Sequence, residues 1–99
     1  MKTEIQTIHF NADQKLLDHV NKKITKVERF LDEATEVHVY LKLDALNGGV
    51  HHKVAEIKVP IRGRILFAKE QSMSFEESVD KALDNILNQV KKHKEKTRE

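Results

Sequence analysis

The sequence predicts an α+β fold in the order β-α-β-β-β-α, a four-stranded mixed sheet with two helices on one face. Three observations carry this. Two long stretches repeat their apolar residues at three- and four-residue steps, the period of a helix with one buried side. Three shorter stretches between them lean on period-two alternation, the mark of strands buried on one face. The turn residues Asn47-Gly48-Gly49 and Arg62-Gly63 separate those strands.

Lys2–Ile8 reads as the first strand, with Ile5 turned inward beside Thr3 and Thr7. Phe10 closes the connection to a helix over Asn11–Leu31. Its apolar stripe is Leu16, Leu17, Val20, Ile24, Val27, Phe30 and Leu31. Asn11 or Asp13 supplies the N-cap, since a short acceptor side chain satisfies free N–H groups of the first turn. Glu36–Asp44 is the second strand, with Val37, Val39, Leu41 and Leu43 inward and His38, Tyr40 and Lys42 outward. The third strand, Val50–Ile61, turns Ala55, Ile57, Val59 and Ile61 inward, and Pro60 belongs near its end because it has no N–H for a ladder. Arg64–Glu70 is the fourth, with Ile65 and Phe67 expected to face the core. Ser74-Phe75-Glu76-Glu77 has the form of a capping box and opens the last helix. Its stripe is Phe75, Val79, Ala82, Leu83, Ile86, Leu87 and Val90, and the helix runs on to about Lys94–Lys96.

A helix between the first two strands implies that those strands are parallel, joined by a right-handed crossover. One-sided alternation in the strands implies that both helices cover the same face. The chain's 99 residues leave room for one core, so residues 1–99 are expected to form a single domain with frayed residues 95–99.

Composition narrows the chemistry. The chain has no Cys and no Trp, which excludes disulfides, thiol catalysis and cysteine-bound metal. There is no signal-peptide pattern and no apolar run long enough to span a bilayer, so a cytoplasmic chain without membrane contact is expected. No nucleophile elbow or glycine-rich phosphate loop occurs. Ser72, Ser74 and Ser78 lie near or in a helix start, where capping accounts for at least two of them. His51 and His52 are adjacent, so on a strand they point to opposite faces, and with His38 they lack zinc-ligand spacing. No enzyme activity, cofactor, metal or small-molecule substrate is indicated.

Charge distribution is the strongest functional signal. Lys91, Lys92, Lys94, Lys96 and Arg98 crowd the end of the last helix with one acid, Glu95, among them. On the first helix Lys15, His19, Lys22 or Lys23, Lys26 and Arg29 recur three or four apart, opposite the apolar stripe. Lys81 lies on the solvent side of the last helix. Two such stripes on one sheet face would border a groove suited to a phosphate backbone. The same pattern also fits ordinary solvated helix faces. Tyr40 is the one outward aromatic, which points to backbone and shape recognition rather than base stacking.

These basic residues also carry a resemblance. Phe75 through Lys96, above all Ser78-Val79-Asp80, Asp84 and Asn88-Gln89-Val90-Lys91-Lys92-His93-Lys94-Glu95-Lys96, resembles the last helix of ribosome hibernation promoting factors and of the related ribosome-associated translation inhibitor. Lys23, Lys26 and the stretch Val37–Leu43 with Lys42 match as well. The resemblance implies a double-stranded-RNA-binding-domain-like fold. It implies a short-form factor that occupies the mRNA and tRNA channel of the small ribosomal subunit, contacts its ribosomal RNA and blocks translation in resting cells. On this reading the RNA-binding residues are Lys22, Lys23, Lys26, Arg29, Lys42, Lys81, Lys91, Lys92, Lys94 and Lys96, and the free chain is monomeric. The sequence departs from the family at Ser74, Glu76 and Glu77, and at Asn85 and Asn88, which replace a Lys and an Arg. The grip is therefore expected mainly from Lys91 onward and on Lys23 and Lys26. Two alternatives are a generic binder of structured RNA or DNA, and a protein-interaction domain using the outer sheet face (His38, Tyr40, Lys42, Glu56, Lys58, Leu66).

Overall fold

A computed structural model of the protein describes residues 1–44 and 52–97. The reversal expected at Asn47-Gly48-Gly49, together with Val50, His51 and Arg98, lies outside those residues. The elements are β1 (Lys2–Ile8), α1 (Gln14–Val27) continued by a 3₁₀ turn (Glu28–Phe30), β2 (Glu36–Leu43), β3 (Lys53–Ile61), β4 (Arg64–Ser72) and α2 (Phe75–Thr97). The strands form one sheet in the order β1-β2-β3-β4. β1 pairs parallel with β2, with Ile5 opposite Val39. The two later pairings are antiparallel, setting Leu41 opposite Ala55 and Ile57 opposite Ala68. The expected mixed sheet and element order are both present.

The core forms where the sheet's inward residues meet the two helical stripes. Val37, Val39, Leu41, Ala55, Ile57, Val59, Leu66 and Ala68 join Leu16, Val20 and Ile24 of α1 and Val79, Ala82, Leu83 and Ile86 of α2 in one buried cluster. Burial of each large aliphatic side chain contributes about 1.5–3 kcal/mol. Asp13 caps α1, its carboxylate accepting the Leu16 N–H at 2.9 Å. Ser74 caps α2 by accepting the Glu77 N–H at 3.1 Å. Ser72, not Glu77, answers the Ser74 N–H, at 3.2 Å. Pro60 lies past the last β2 partner, near the end of β3, opposite Ile65. The two-residue β3–β4 turn holds Gly63 at φ 84°, a conformation that glycine adopts without penalty.

Two expectations are corrected. In β4 the inward residues are Leu66, Ala68 and Ser72, while Ile65 and Phe67 are exposed. Leu66, assigned by sequence to the outer face, is fully buried. Four apolar residues in a row (Ile65 to Ala68) give no alternation from which to read the face. Small Ala68 and Ser72 fit under α2, and they set the phase. The second correction is at the end of α1. The α-helix stops at Val27 and tightens to a 3₁₀ turn, whose three residues per turn advance the phase faster than 3.6. Leu31 swings into the core and Phe30, expected in the stripe, is left 45% exposed.

Candidate nucleic-acid interface

Residue numbers rise together along the two helices. His19 and Lys23 of α1 both reach Asp80 of α2, at 2.9 and 3.7 Å. Further along, Lys94 meets Asp32 at 3.0 Å and His93 meets Glu33 at 3.3 Å. The helices therefore run parallel, and their C-terminal ends lie at the same end of the molecule. Unpaired carbonyls and the negative dipole pole of each helix end there, and cations are favoured beside them.

That end holds a cluster of cations. Lys22, Lys26 and Arg29 follow one another along the exposed side of α1 and its 3₁₀ turn. Lys91, Lys92 and Lys96 are exposed on α2. Among the described residues no carboxylate stands within ion-pair distance of Lys22, Lys26, Lys91, Lys92 or Lys96. Lys94 is engaged with Asp32 and holds that carboxyl below its usual range through its hydrogen bond and charge.

A groove of about 360 Å³ opens at this end. It is lined by Phe30, Leu87, Val90, Asn88, Lys91 and Lys94. The sequence reading had the two lysine stripes as its walls; instead, lysines line only the α2 side and Phe30 faces them. On the other flank of α2, Lys92 and Lys96 share a smaller hollow of about 150 Å³ with Arg64, Gln89 and His93. Arg64 and Phe30 are thus parts of this surface that the sequence reading missed. Arg64 was read as the start of a strand, and no local pattern pairs it with a helix end some thirty residues on.

Three predicted residues lie elsewhere. Lys81 is ten residues before Lys91, about 15 Å along the helix axis, and is paired with Glu77 at 3.3 Å. Lys23 is tied to Asp80. Lys42 stands on the opposite face of the sheet, in line with His38 and Tyr40, so the structure does not bring it to the helix lysines. Asn85 is turned to the sheet edge, donating to Glu70 at 3.4 Å and accepting from Gln89 at 2.8 Å.

Other polar clusters have structural partners. Ser78 donates to the Lys53 carbonyl at 2.6 Å and lies 2.8 Å from Ser72, both buried. His38 sits between Glu4 and Glu36, at 3.2 Å from each. Lys2 binds Glu4 at 3.0 Å and lowers that carboxyl's pKa, while its own rises. Among the described residues no group of three or more His, Asp or Glu side chains could hold a metal ion. No helix among them is long and apolar enough to cross a membrane.

Comparison with known proteins adds to this geometry. The profile of the family described as sigma 54 modulation protein / S30EA ribosomal protein matches residues 3–98. The chain belongs to this family. It is 31% identical over 96 residues to a ribosome hibernation promoting factor of Pseudomonas putida, covering 97% of this chain and 89% of that protein. It is 26% identical to the ribosome hibernation promotion factor of Bacillus subtilis, where 97% of this chain spans 50% of that longer protein. Among solved structures, a ribosomal subunit interface protein from Coxiella burnetii shares the fold with a TM-score of 0.83 at 18% identity, covering 95% of this chain and 98% of that one. The N-terminal domain of Thermus thermophilus Protein Y does so with a TM-score of 0.76 at 23% identity, covering 94% and 99%.

Proposed function

We propose that this S30EA family chain is a ribosome hibernation factor that binds the small ribosomal subunit in the path of mRNA and tRNA and silences translation. In this role residues 1–99 act as one ribosome-binding domain, monomeric when free. The observation that carries the reading is the set of exposed lysines without ion-pair partners among the described residues, gathered where two parallel helices end. Lys91, Lys92 and Lys96 contact ribosomal RNA phosphates, with Lys22, Lys26, Arg29 and Arg64 on the flanks. Lysine heads on flexible stems suit phosphates whose spacing is set by the RNA, and each contact releases counterions. The names of the relatives, which refer to ribosome hibernation, support the biological setting.

Co-sedimentation with purified small subunits across a salt series tests this. Binding should be tight at low salt and weaken steadily as salt rises. No binding at low salt, or binding indifferent to salt, defeats the proposal. Bulk RNA and duplex DNA serve as competitors. If both displace the chain as well as free subunits do, a generic nucleic-acid binder is the better description.

A second reading has one observation behind it. Ile65 and Phe67 project from the outer sheet face at 62% and 42% exposure. A protein partner docking there would be lost on Ile65→Ser, while subunit binding through the helix end would persist.

A further inference from the structure

Phe30 is a large aromatic ring at the rim of a cationic surface. Its exposure follows from the 3₁₀ turn, which buries Leu31 in its place. The turn is fixed by the Leu31 N–H bonding the Glu28 carbonyl at 3.0 Å, and the next bend by the Ala34 N–H on the Leu31 carbonyl at 2.9 Å. The ring is therefore held outward by backbone structure. The Arg29 guanidinium lies 4.7 Å from the ring centroid. The ring also forms one wall of the groove whose floor is Leu87 and Val90 and whose far rim is Asn88 and Lys91.

We propose that this groove takes one unstacked RNA base, which lies against the Phe30 ring while Lys91 holds its phosphate. The inference rests on the ribosome-binding reading and adds a base contact to it. Three features select a nucleotide as the occupant. The apolar floor and aromatic wall suit a flat π-face, since every base stacks on an aromatic ring whatever its sequence. Lys91 has no carboxylate partner among the described residues, and a nucleotide brings its own anion to that position. Asn88 offers an amide donor and an acceptor together at the rim, which matches the mixed edge of a base. Of the acids near the rim, Asp32 is already neutralised by Lys94, and Glu95 stands in a neighbouring hollow with Asn88, Lys91 and Lys92.

The chain contains no Trp, so Phe30→Trp introduces a single indole as reporter. Two substitutions in the full chain then test the proposal. Phe30→Leu keeps an apolar side chain but loses the ring. It should weaken subunit binding about 5-fold or more, the loss expected for one stacked base. Its melting temperature and salt slope should match the unaltered chain, because neither core packing nor a phosphate contact is lost. Phe30→Trp should bind as well as the unaltered chain, and its emission should be quenched by bound subunits. A mixed-sequence single-stranded oligodeoxynucleotide should also quench it. An abasic strand of equal length, with the same phosphates, should not.

Unchanged binding by Phe30→Leu overturns the base contact and leaves an apolar partner such as a protein segment. Unquenched emission on a bound subunit overturns it as well. If the unaltered chain fails to sediment with subunits, the ribosomal reading falls by itself. The oligonucleotide titration still decides on stacking: quenching by the mixed strand alone upholds it, and equal behaviour of the two strands removes it.

Discussion

At the start of α2, Glu77 pairs with Lys81 and Asp80 pairs with Lys23 and His19 of the neighbouring helix. At its end, Lys91, Lys92 and Lys96 have no carboxylate in reach among the described residues, and only Lys94 and His93 are drawn to acids of the adjoining loop. In the sequence the first stretch shows Lys81 beside Glu76, Glu77 and Asp80, and the second shows lysines crowded around one acid, Glu95. The first stretch has its charge consumed within the fold and lashes α1 to α2. The second is left with charge for a partner. What matters for binding a polyanion is the number of cations not already neutralised, and that number depends on tertiary contacts.

Four measurements test this contrast. The largest effect is expected from Lys91→Ala with Lys92→Ala. Subunit binding should weaken strongly at low salt, and the slope of log affinity against log salt should lose about 0.9 for each phosphate contact removed. The melting temperature should hardly move; a large drop would place these lysines in the fold. Next is Asp80→Asn, which frees Lys23 and His19. Affinity should rise, with the salt slope steeper by up to about one contact, while the helix lashing loses no more than about 1 kcal/mol in denaturant titration. If Asp80→Asn leaves affinity unchanged and Lys23→Ala weakens it, the start of α2 is no different from its end.

A smaller effect concerns acid. Asp32 has its pKa lowered by Lys94, so its folded carboxyl stays ionised to lower pH than its unfolded one. The contribution is complete above the ordinary carboxylate range and disappears as pH falls through the lowered value. Lys94→Ala should abolish this part of the acid dependence, leaving unfolding midpoints above and below the carboxylate range closer together. Smallest of all is Lys81→Ala. An exposed pair four residues apart on a helix contributes about 0.3–0.5 kcal/mol, and subunit affinity should stay unchanged.

Much of the fold was legible. Period-two alternation in β2 and β3 and the two helical stripes named nearly every core residue. The misses share a cause: the local pattern lost its phase. Ile65 to Ala68 are all apolar, so only the contact of Ala68 and Ser72 with α2 decides which side is in. At the end of α1 a change from α to 3₁₀ geometry shifts the stripe, which moves Phe30 outward. For the surface, the crowding of lysines near Lys91 was plain, since it is local. That Arg64 joins them, that Lys23 is spent on Asp80, and how far Lys42 lies from them depend on contacts between elements distant in the chain.

β4 is an edge strand, and edge strands offer backbone groups to any other chain that can add a strand. Gln89 reaches across from α2 and donates to the Phe67 carbonyl at 2.7 Å, while Asn85 holds the same amide from behind. An incoming strand would have to break that bond to use this acceptor, at the very position where Phe67 and Ile65 make the margin apolar. Gln89 thus keeps one backbone acceptor of this edge occupied from within the fold, where a second chain would otherwise find it open.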